Sequence, residues 1–512
     1  MKAAPNLFML RLVPMICGCL LIALSGCREG ALDGEQLQNQ PPQTGLSIET
    51  VNLPEDIVFS SRVELTWWGA DPDGYVIGYE YVVNDPSTQN WSFTERTDST
   101  FVLPISPGLD QEDVTFYVRA VDNMMDVDPE PARVTLPVKN SKPKIQFSST
   151  HAPSDTTYYV FSLGLQVDDP DGLESLQRVE IAFNDSTSNA EWVDVPLPED
   201  ESILLTGVID SFESGDVTAS MYLGQALSTP QNPITPKGLR LDAQNTLYAR
   251  VTDQSGSVSE LASFSWYIKS KQSKVLLLHD DDSNQGQENL QKHLEFLRAN
   301  GINPDLLTIN DGFAAGGAKV SVSDAFPKNS LSRQRYLAQW DHIYWLSNSL
   351  DRNITYAQSL LGEFFSEGGT LFISIPTKSL ESDDPLFQFL PFKELVRPTG
   401  IQNSFRLRSN TLVEPRIMDD AAPTMTLSTT RLNLYPIVPS DGARTLYDGT
   451  FYVQIITGQV FPYTEASSLI VESAERNTIY AGINLADLGG QVPVSELVNY
   501  LCIQRLRFSD EE

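Results

Sequence analysis

Residues 67–85 read WWGADPDGYVIGYEYVVND, and residues 166–185 read QVDDPDGLESLQRVEIAFND. Each stretch sets an Asp-Pro-Asp-Gly tetrad before a strand-like run. Each is followed by a second matching piece, TFYVRAVD at 115–122 and TLYARVTD at 246–253. The last pair aligns without gaps, Thr115 on Thr246, with Thr, Tyr, Arg and Asp identical, and YEYVVND lies on VEIAFND from Tyr79 on Val179. Self-similarity in order and spacing marks two copies of one unit. Within each copy the pattern is β. Val63, Leu65 and Trp67 alternate with Glu64, Thr66 and Trp68, and Phe116, Val118 and Ala120 alternate with Tyr117 and Arg119. Period two with one apolar face is a half-buried strand. Short strands separated by turn signals over about 100 residues predict a sandwich of two sheets.

The tryptophan strand, the tyrosine-rich strand and the FYVRAVDN strand together resemble fibronectin type III-like modules. The resemblance spans residues 46–140 and, more loosely, 141–271. It implies two all-β immunoglobulin/fibronectin III-like sandwiches in series. The second is longer, with an insertion expected across residues 210–238.

At Lys274 the pattern changes. KVLLLHDDD is a short continuous apolar strand. NLQKHLEFLRANG follows, with Leu290, Leu294 and Leu297 at helical spacing and Gly301 as a stop. DLLTI, DHIYWLSNS and TLFISI are further strands, with a helix expected over NITYAQSLLGEFFSEGG. Strands alternating with helices predict a parallel sheet covered on both faces. After Thr377 an insertion runs to about residue 430, and YVQII, SLIVESA, TIYAGI and a closing helix from Pro493 complete the domain. The step FFSEGGTLFIS resembles the class I glutamine amidotransferase-like superfamily, non-catalytic members included. That resemblance implies an α/β flavodoxin-like three-layer domain over residues 272–512.

The N-terminal residues read MKAAPNLFMLRLVPMICGCLLIALSGCREG. Lys2 and Arg11 precede an apolar run from Leu12 to Leu24, too short for a membrane span and fit for an export signal. Leu24-Ser25-Gly26-Cys27 resembles the lipobox of bacterial lipoproteins, which implies cleavage after residue 26 and acylation, palmitate included, at Cys27. Residues 27–45 then form a polar, Pro-containing tether. Arg28, rather than Asp, after the cysteine favours the outer membrane on the sorting pattern of enteric bacteria. Of four cysteines, Cys17 and Cys19 leave with the signal, so Cys502 stays unpaired on an apolar helical pattern. The chain has 512 residues and a formal net charge of −32. Such a surface repels phosphates, so nucleic acid is excluded as a partner.

Several groups invite chemistry. Laying GGTLFISIPT on the amidotransferase pattern puts Ser374 where that family holds its nucleophile. Phe372 and Pro376 stand where an elbow needs small residues. No histidine follows: His151, His279, His293 and His342 all precede Ser374. The expected catalytic set is therefore absent. Asp280, Asp281 and Asp282 follow the first α/β strand, where ligands gather in open α/β sheets, and offer a metal or polar-ligand site. Paired acids there also resemble receiver domains, but Ser347-Asn348-Ser349 stands where a receiver needs its phosphoacceptor. The alternative is solvated acids leading to a helix cap at Ser283 or Asn284. The tetrads supply Asp71, Asp73, Asp169 and Asp171, which suit Ca²⁺ or, equally, a type I turn with Asp first, Pro second and Gly fourth. Trp68 and Trp91 could stack on glycan rings, whereas Trp67, and the face shared by Tyr75, Ile77, Tyr79, Tyr81 and Val83, read as core.

The expected function is non-enzymatic: binding, adhesion or scaffolding at the cell envelope, lipid-anchored in the membrane, with an envelope protein or glycan as partner and no cofactor unless Ca²⁺. The alternative is a hydrolase acting on an envelope polymer or glycan through the α/β domain. A passive component of a secretion or gliding complex is a third class.

Overall fold

A computed structural model describes residues 38–48, 59–106, 108–153, 155–197, 200–211, 217–224, 233–281, 283–308, 330–378, 380, 383–417 and 419–509. The expected signal segment, the expected acylation site Cys27, the expected tether up to residue 37, and Asp282 lie outside the described residues.

The chain forms two compact units. The smaller comprises residues 63–101 and 113–136 with the described residues before 58. Its sheets follow from the alternation. Gln43–Ile48 lies antiparallel beside Arg62–Ala70, with Leu46 opposite Trp67 and Gly45 opposite Trp68. The strand begins at Gln43, so the tether expected to reach residue 45 ends earlier. A side chain at Gly45 would collide with the Trp68 indole, and the Thr44 hydroxyl accepts a hydrogen bond from the Ala120 amide at 2.7 Å. In the second sheet, Gln111–Asp122 lies between Ala132–Lys139 and Val76–Val83, and Ser92–Thr94 flanks the latter. Between the sheets Trp67 packs on Tyr79, Phe101 and Phe116. Its indole N–H donates to the Arg96 carbonyl at 2.9 Å, which lets a tryptophan sit in a core without an orphaned donor.

Tyr75 does not join that core. The strand starts at Val76, and a register shift between Val76 and Gly78 breaks the two-residue alternation. Tyr79 is buried while Tyr75 is 67% exposed.

The larger unit contains the second sandwich. One sheet orders Ala262–Ile268, Ala243–Asp253, Leu176–Phe183 and Val193–Val195; the other orders Thr218–Leu223, Ser202–Ser211, Val160–Asp168 and Lys144–Phe147. Trp266 fills its core against Phe161, Phe183 and Phe264. The repeat holds at the level of register: Tyr79 pairs with Ala120 and Glu80 with Arg119, as Val179 pairs with Val251 and Glu180 with Arg250.

In the same unit a ten-stranded sheet follows. Its parallel part comprises Val275–Asp280, Asp305–Thr308, His342–Ser347, Thr370–Ser374 and Thr478–Ala481, arranged in the order second, first, third, fourth, fifth. Antiparallel strands from Ser468–Glu472 outward extend it. Successive residues of the first strand feed opposite cores, Val275 and Leu277 on one face, Leu276 and Leu278 on the other. Burial on both faces is why KVLLLHD reads as an unbroken apolar run. Helix Asn284–Arg298 covers one face through Leu290, Leu294 and Leu297. Ser283 caps it, its side chain accepting from the Gly286 amide at 3.0 Å. The helix expected before Gly368 is broken into Asn353–Tyr356, Ala357–Leu360 and Gly362–Ser366. Tyr158 and Val160 of the second sandwich share a core with Leu276 and Trp340, and buried Thr206 and Ser332 hydroxyls bond at 2.7 Å. The sandwich and the ten-stranded layer are thus packed as one body.

Candidate functional site

The parallel strand order reverses direction between Val275–Asp280 and His342–Ser347. A crevice opens beyond strand carboxyl ends at such a reversal, because the flanking chains leave towards opposite faces. A cleft of about 450 Å³ lies here. Asp281 and Asn348 stand just past the two strand ends, with Asn348 Nδ2 donating to Asp281 Oδ1 at 2.8 Å. The same oxygen accepts from the Ser283 amide at 3.1 Å and its hydroxyl at 2.7 Å. The remaining wall carries Gln285, Asn289, Lys378, Asn484 and the Arg431–Asp487 ion pair, with Leu432, Leu434, Ile483 and Pro376 as its apolar part. This is a lining of amides and paired charges, suited to holding a polar ligand by hydrogen bonds.

Asp280 and Asp281, the two of the three consecutive acids that are described, do not act together. Asp280 is fully buried and turned from the cleft. Its carboxylate accepts from Arg352 Nε at 3.2 Å, the Asn353 amide at 3.0 Å and Asn353 Nδ2 at 2.9 Å. Burial pushes its carboxyl up to about 6, against the pull of those donors. Asp281, unlike Asp280, reaches the cleft, and among the described residues no group of three or more His, Cys, Asp or Glu could hold a metal ion.

Ser374 lies under the cleft floor, fully buried. Its hydroxyl donates to the Ile483 carbonyl at 3.2 Å and accepts from the Leu485 amide at 3.4 Å. Among the described residues both of its bonds are to backbone groups. His293, buried on the helix Asn284–Arg298, touches the cleft residue Asn484. Asn484 Oδ1 accepts from the Ala486 amide and is therefore an acceptor. It follows that His293 Nε2–H donates to it at 2.8 Å, and that Nδ1 accepts from the Tyr344 hydroxyl at 2.7 Å. Burial pushes this imidazole down to about 4, so it is neutral and serves to fix Asn484, a cleft residue.

The tetrad aspartates hold the chain itself. Asp169 forms a turn: its carbonyl accepts from the Gly172 amide at 2.9 Å and its Oδ1 from the Asp171 amide at 2.9 Å. Burial raises its carboxyl. Asp171, 1% exposed, accepts from the Ser141 amide at 2.7 Å, the Ser141 hydroxyl at 3.2 Å and the Ser61 amide at 3.1 Å. Asn140 Nδ2 donates to Asp253 Oδ2 at 2.7 Å. The smaller unit repeats the device around Asp71. Asp73 accepts from the Gln40 amide at 3.2 Å, and Asn39 Nδ2 donates to Asp122 Oδ2 at 2.6 Å. An Asn-x-x-Pro segment, 39–42 or 140–143, thus enters each sandwich clamped by two aspartates. Of the oxygens offered for calcium, both of Asp171 are taken by donors of the chain, whereas Asp71 Oδ2 and Asp169 Oδ2 are buried without a hydrogen-bond partner among the described residues.

The two tryptophans do not make one platform. Trp68 is 55% exposed on the Arg62–Ala70 sheet. Trp91 belongs with the other sheet, where the Arg119 guanidinium stacks 4.1 Å from its ring centre. Arg250 covers Trp192 at the same distance. Each arginine also pairs with a glutamate opposite, Glu80 or Glu180. One face of Trp91 is thus taken by a repeated structural device.

Sequence reading missed Asn289, Lys378, Arg431, Asn484 and Asp487. They lie far apart in the chain, Asn289 on the helix Asn284–Arg298, Arg431 on the short strand Arg431–Leu432 and Asp487 in the turn of helix Leu485–Asp487, with no shared motif, and only the fold brings them to one wall.

No family model matches the chain, and no curated protein matches it. Among solved structures, the fibronectin(III)-like modules of Clostridium thermocellum CbhA align with 44% of this chain and 95% of theirs at 12% identity, TM-score 0.16. A two-domain fibronectin type-III segment from chicken tenascin aligns with 44% of this chain and 99% of its own at 12% identity, TM-score 0.19. The PKD1 domain of Vibrio anguillarum Epp covers 20% of this chain and 98% of itself at 14% identity, TM-score 0.14. At such scores the likeness adds no weight, and the class of protein, tandem β-sandwiches with a C-terminal mixed sheet, stands on the strand pairings above.

Proposed function

We propose that this chain is a lipid-anchored protein of the bacterial outer membrane that binds an envelope protein or glycan and carries out no reaction. Its C-terminal layer is a flavodoxin-type, amidotransferase-like domain whose cleft has been kept for binding. The second-first-third-fourth-fifth order of the parallel strands supports that kinship. One observation carries the reading: the cleft at the strand ends is lined by amides and an ion pair, while the Ser374 hydroxyl beneath it is buried and bonded to the Ile483 carbonyl. A nucleophile needs exposure and an adjacent base.

The test is in-cell photo-crosslinking from Asn289, in the cleft wall, with the exposed Ile456 as the reference position. One stoichiometric envelope partner captured from Asn289 and not from Ile456 is expected. Turnover of an envelope polymer by the purified protein, lost in Asp281→Asn, would overturn the proposal in favour of a hydrolase.

A further inference from the structure

The two sandwiches share a loop that they fill differently. In the smaller unit the Asp122 amide donates to the Asp126 carbonyl at 3.0 Å and the Met125 amide to the Asp122 carbonyl at 3.1 Å. In the larger unit the Asp253 amide donates to the Ser257 carbonyl, and the Gly256 amide to the Asp253 carbonyl, both at 3.1 Å. The loops are superposable in bonding, and position 256 is a glycine at φ +90°. Met125 holds the same left-handed conformation at φ 72°. A long side chain there is strained where glycine is not. The loop at 254–256 is polar, and the Ser255 carbonyl is taken by the Gly108 amide at 2.9 Å. In the smaller unit Met124 is 59% and Met125 73% exposed. Tyr75, 67% exposed, is tied to this loop, since the Asn123 amide donates to the Tyr75 carbonyl at 3.0 Å and the Tyr75 amide to Asn123 Oδ1 at 2.9 Å. Three apolar side chains therefore project from one tip.

The entering chain arrives at that same tip. Asn39 Nδ2 bonds Asp122 and Asp126, at 2.6 and 2.9 Å, on either side of the two methionines. Asn39 stands twelve residues after Cys27, a span that reaches at most about 40 Å when fully extended.

We infer that Tyr75, Met124 and Met125 form a membrane-contacting tip that rests in the headgroup layer of the bilayer holding the acyl chains on Cys27. The inference rests on the reading of Cys27 as the lipid site. A tyrosine with a wet hydroxyl and an apolar ring suits that layer, and the short tether keeps the tip at high local concentration beside it. Asp71, Asp73, Asp122 and Asp126 surround the tip, so it favours zwitterionic headgroups and is repelled by anionic ones.

The experiment uses the mature acylated chain reconstituted with phosphatidylcholine vesicles. Met125→Cys and, separately, Ile456→Cys in the larger unit carry a polarity-sensitive fluorophore. Cys502 is fully buried, so the introduced thiol is the one that reacts. Flotation with the vesicles is expected, together with a blue-shifted label at 125 quenched by nitroxide lipids and a label at 456 that stays wet. Added phosphatidylglycerol should lessen quenching at 125, and salt should restore it. Flotation with position 125 as wet as 456 overturns the tip and leaves the anchor standing. A chain that does not float, with no acyl mass on its N-terminal peptide, overturns the anchor and the tip with it.

Discussion

Replacing Asp171 by Ala separates a clamp from a cation site. Asp171 accepts from three donors, the amides of Ser61 and Ser141 and the Ser141 hydroxyl, at 3.1, 2.7 and 3.2 Å. At 1% exposure water cannot take its place. A hydrogen bond to a charged acceptor contributes roughly 1.5–3 kcal/mol, and neighbouring bonds do not add fully, so the loss should be about 3–5 kcal/mol. Asp73 holds the same position in the smaller unit and, among the described residues, accepts from the Gln40 amide, at 3.2 and 3.3 Å, in an exposed setting. Asp73→Ala should cost under about 1 kcal/mol. Urea unfolding followed by tryptophan fluorescence reads both, since Trp266, Trp340 and Trp345 are buried in the larger unit and Trp67 in the smaller. Calcium supplies the second arm. A ligand bound only to the folded state raises stability with its concentration, so a cation site at Asp169 and Asp171 would show as stabilisation of the wild type by millimolar calcium that Asp171→Ala abolishes. No calcium dependence is expected. Equal costs at positions 171 and 73, or calcium-dependent stability, would refute the clamp.

The buried His293, held at about 4 against an ordinary 6.5, contributes stability that is intact above pH 6.5 and is lost as pH falls towards 4, by about 3 kcal/mol. Asp280, raised from 3.8 to about 6, acts in the opposite sense, its penalty easing as pH falls from 6 towards 3.8. The wild type should therefore change little across that window, while His293→Gln should gain stability on acidification, as urea midpoints across a pH series would show; parallel profiles would refute this. Arg250→Ala should cost about 2–3 kcal/mol, because Glu180, whose side chain is 8% exposed, loses its nearer partner at 2.9 Å and keeps Arg178 at 3.4 Å. Arg119→Ala should cost about 1 kcal/mol, since Glu80 is 26% exposed; thermal melts of the pair test that ranking. Ser374→Ala should cost about 1 kcal/mol in stability and leave crosslinking from Asn289 unchanged; loss of capture with the fold intact would return Ser374 to the site.

Much of the fold was legible because it is written in local periodicity. Alternation in VELTWW and TFYVRAVD gave strands with Trp67, Phe116 and Val118 inward, as they stand. The alignment of Thr115 with Thr246 is met by the same cross-strand register in both copies. Ser283 caps its helix as residue type and position suggested. Reading by alternation failed where alternation itself breaks. The register shift after Val76 turned Tyr75 outward, and the expected helix before Gly368 is split at Leu361.

The candidate sites were legible as residue types and illegible as partners. Asp280, Asp281 and Asp282 are neighbours in the chain, yet the strand end sends Asp280 to Arg352 and Asp281 to the cleft. The sequence by itself determined the strands, the repeat, the apolar runs that must be buried twice, and the absence of a histidine after Ser374, because these depend on residues within a few positions of one another or on simple order. The tertiary structure alone decided that the tetrad aspartates clamp the entering chain, that Arg119 covers Trp91, and that amides drawn from residues 285 to 484 line one wall. Those outcomes rest on hydrogen bonds and stacking between residues tens to hundreds of positions apart, which no local pattern encodes and which only the packed sheets bring within bonding distance.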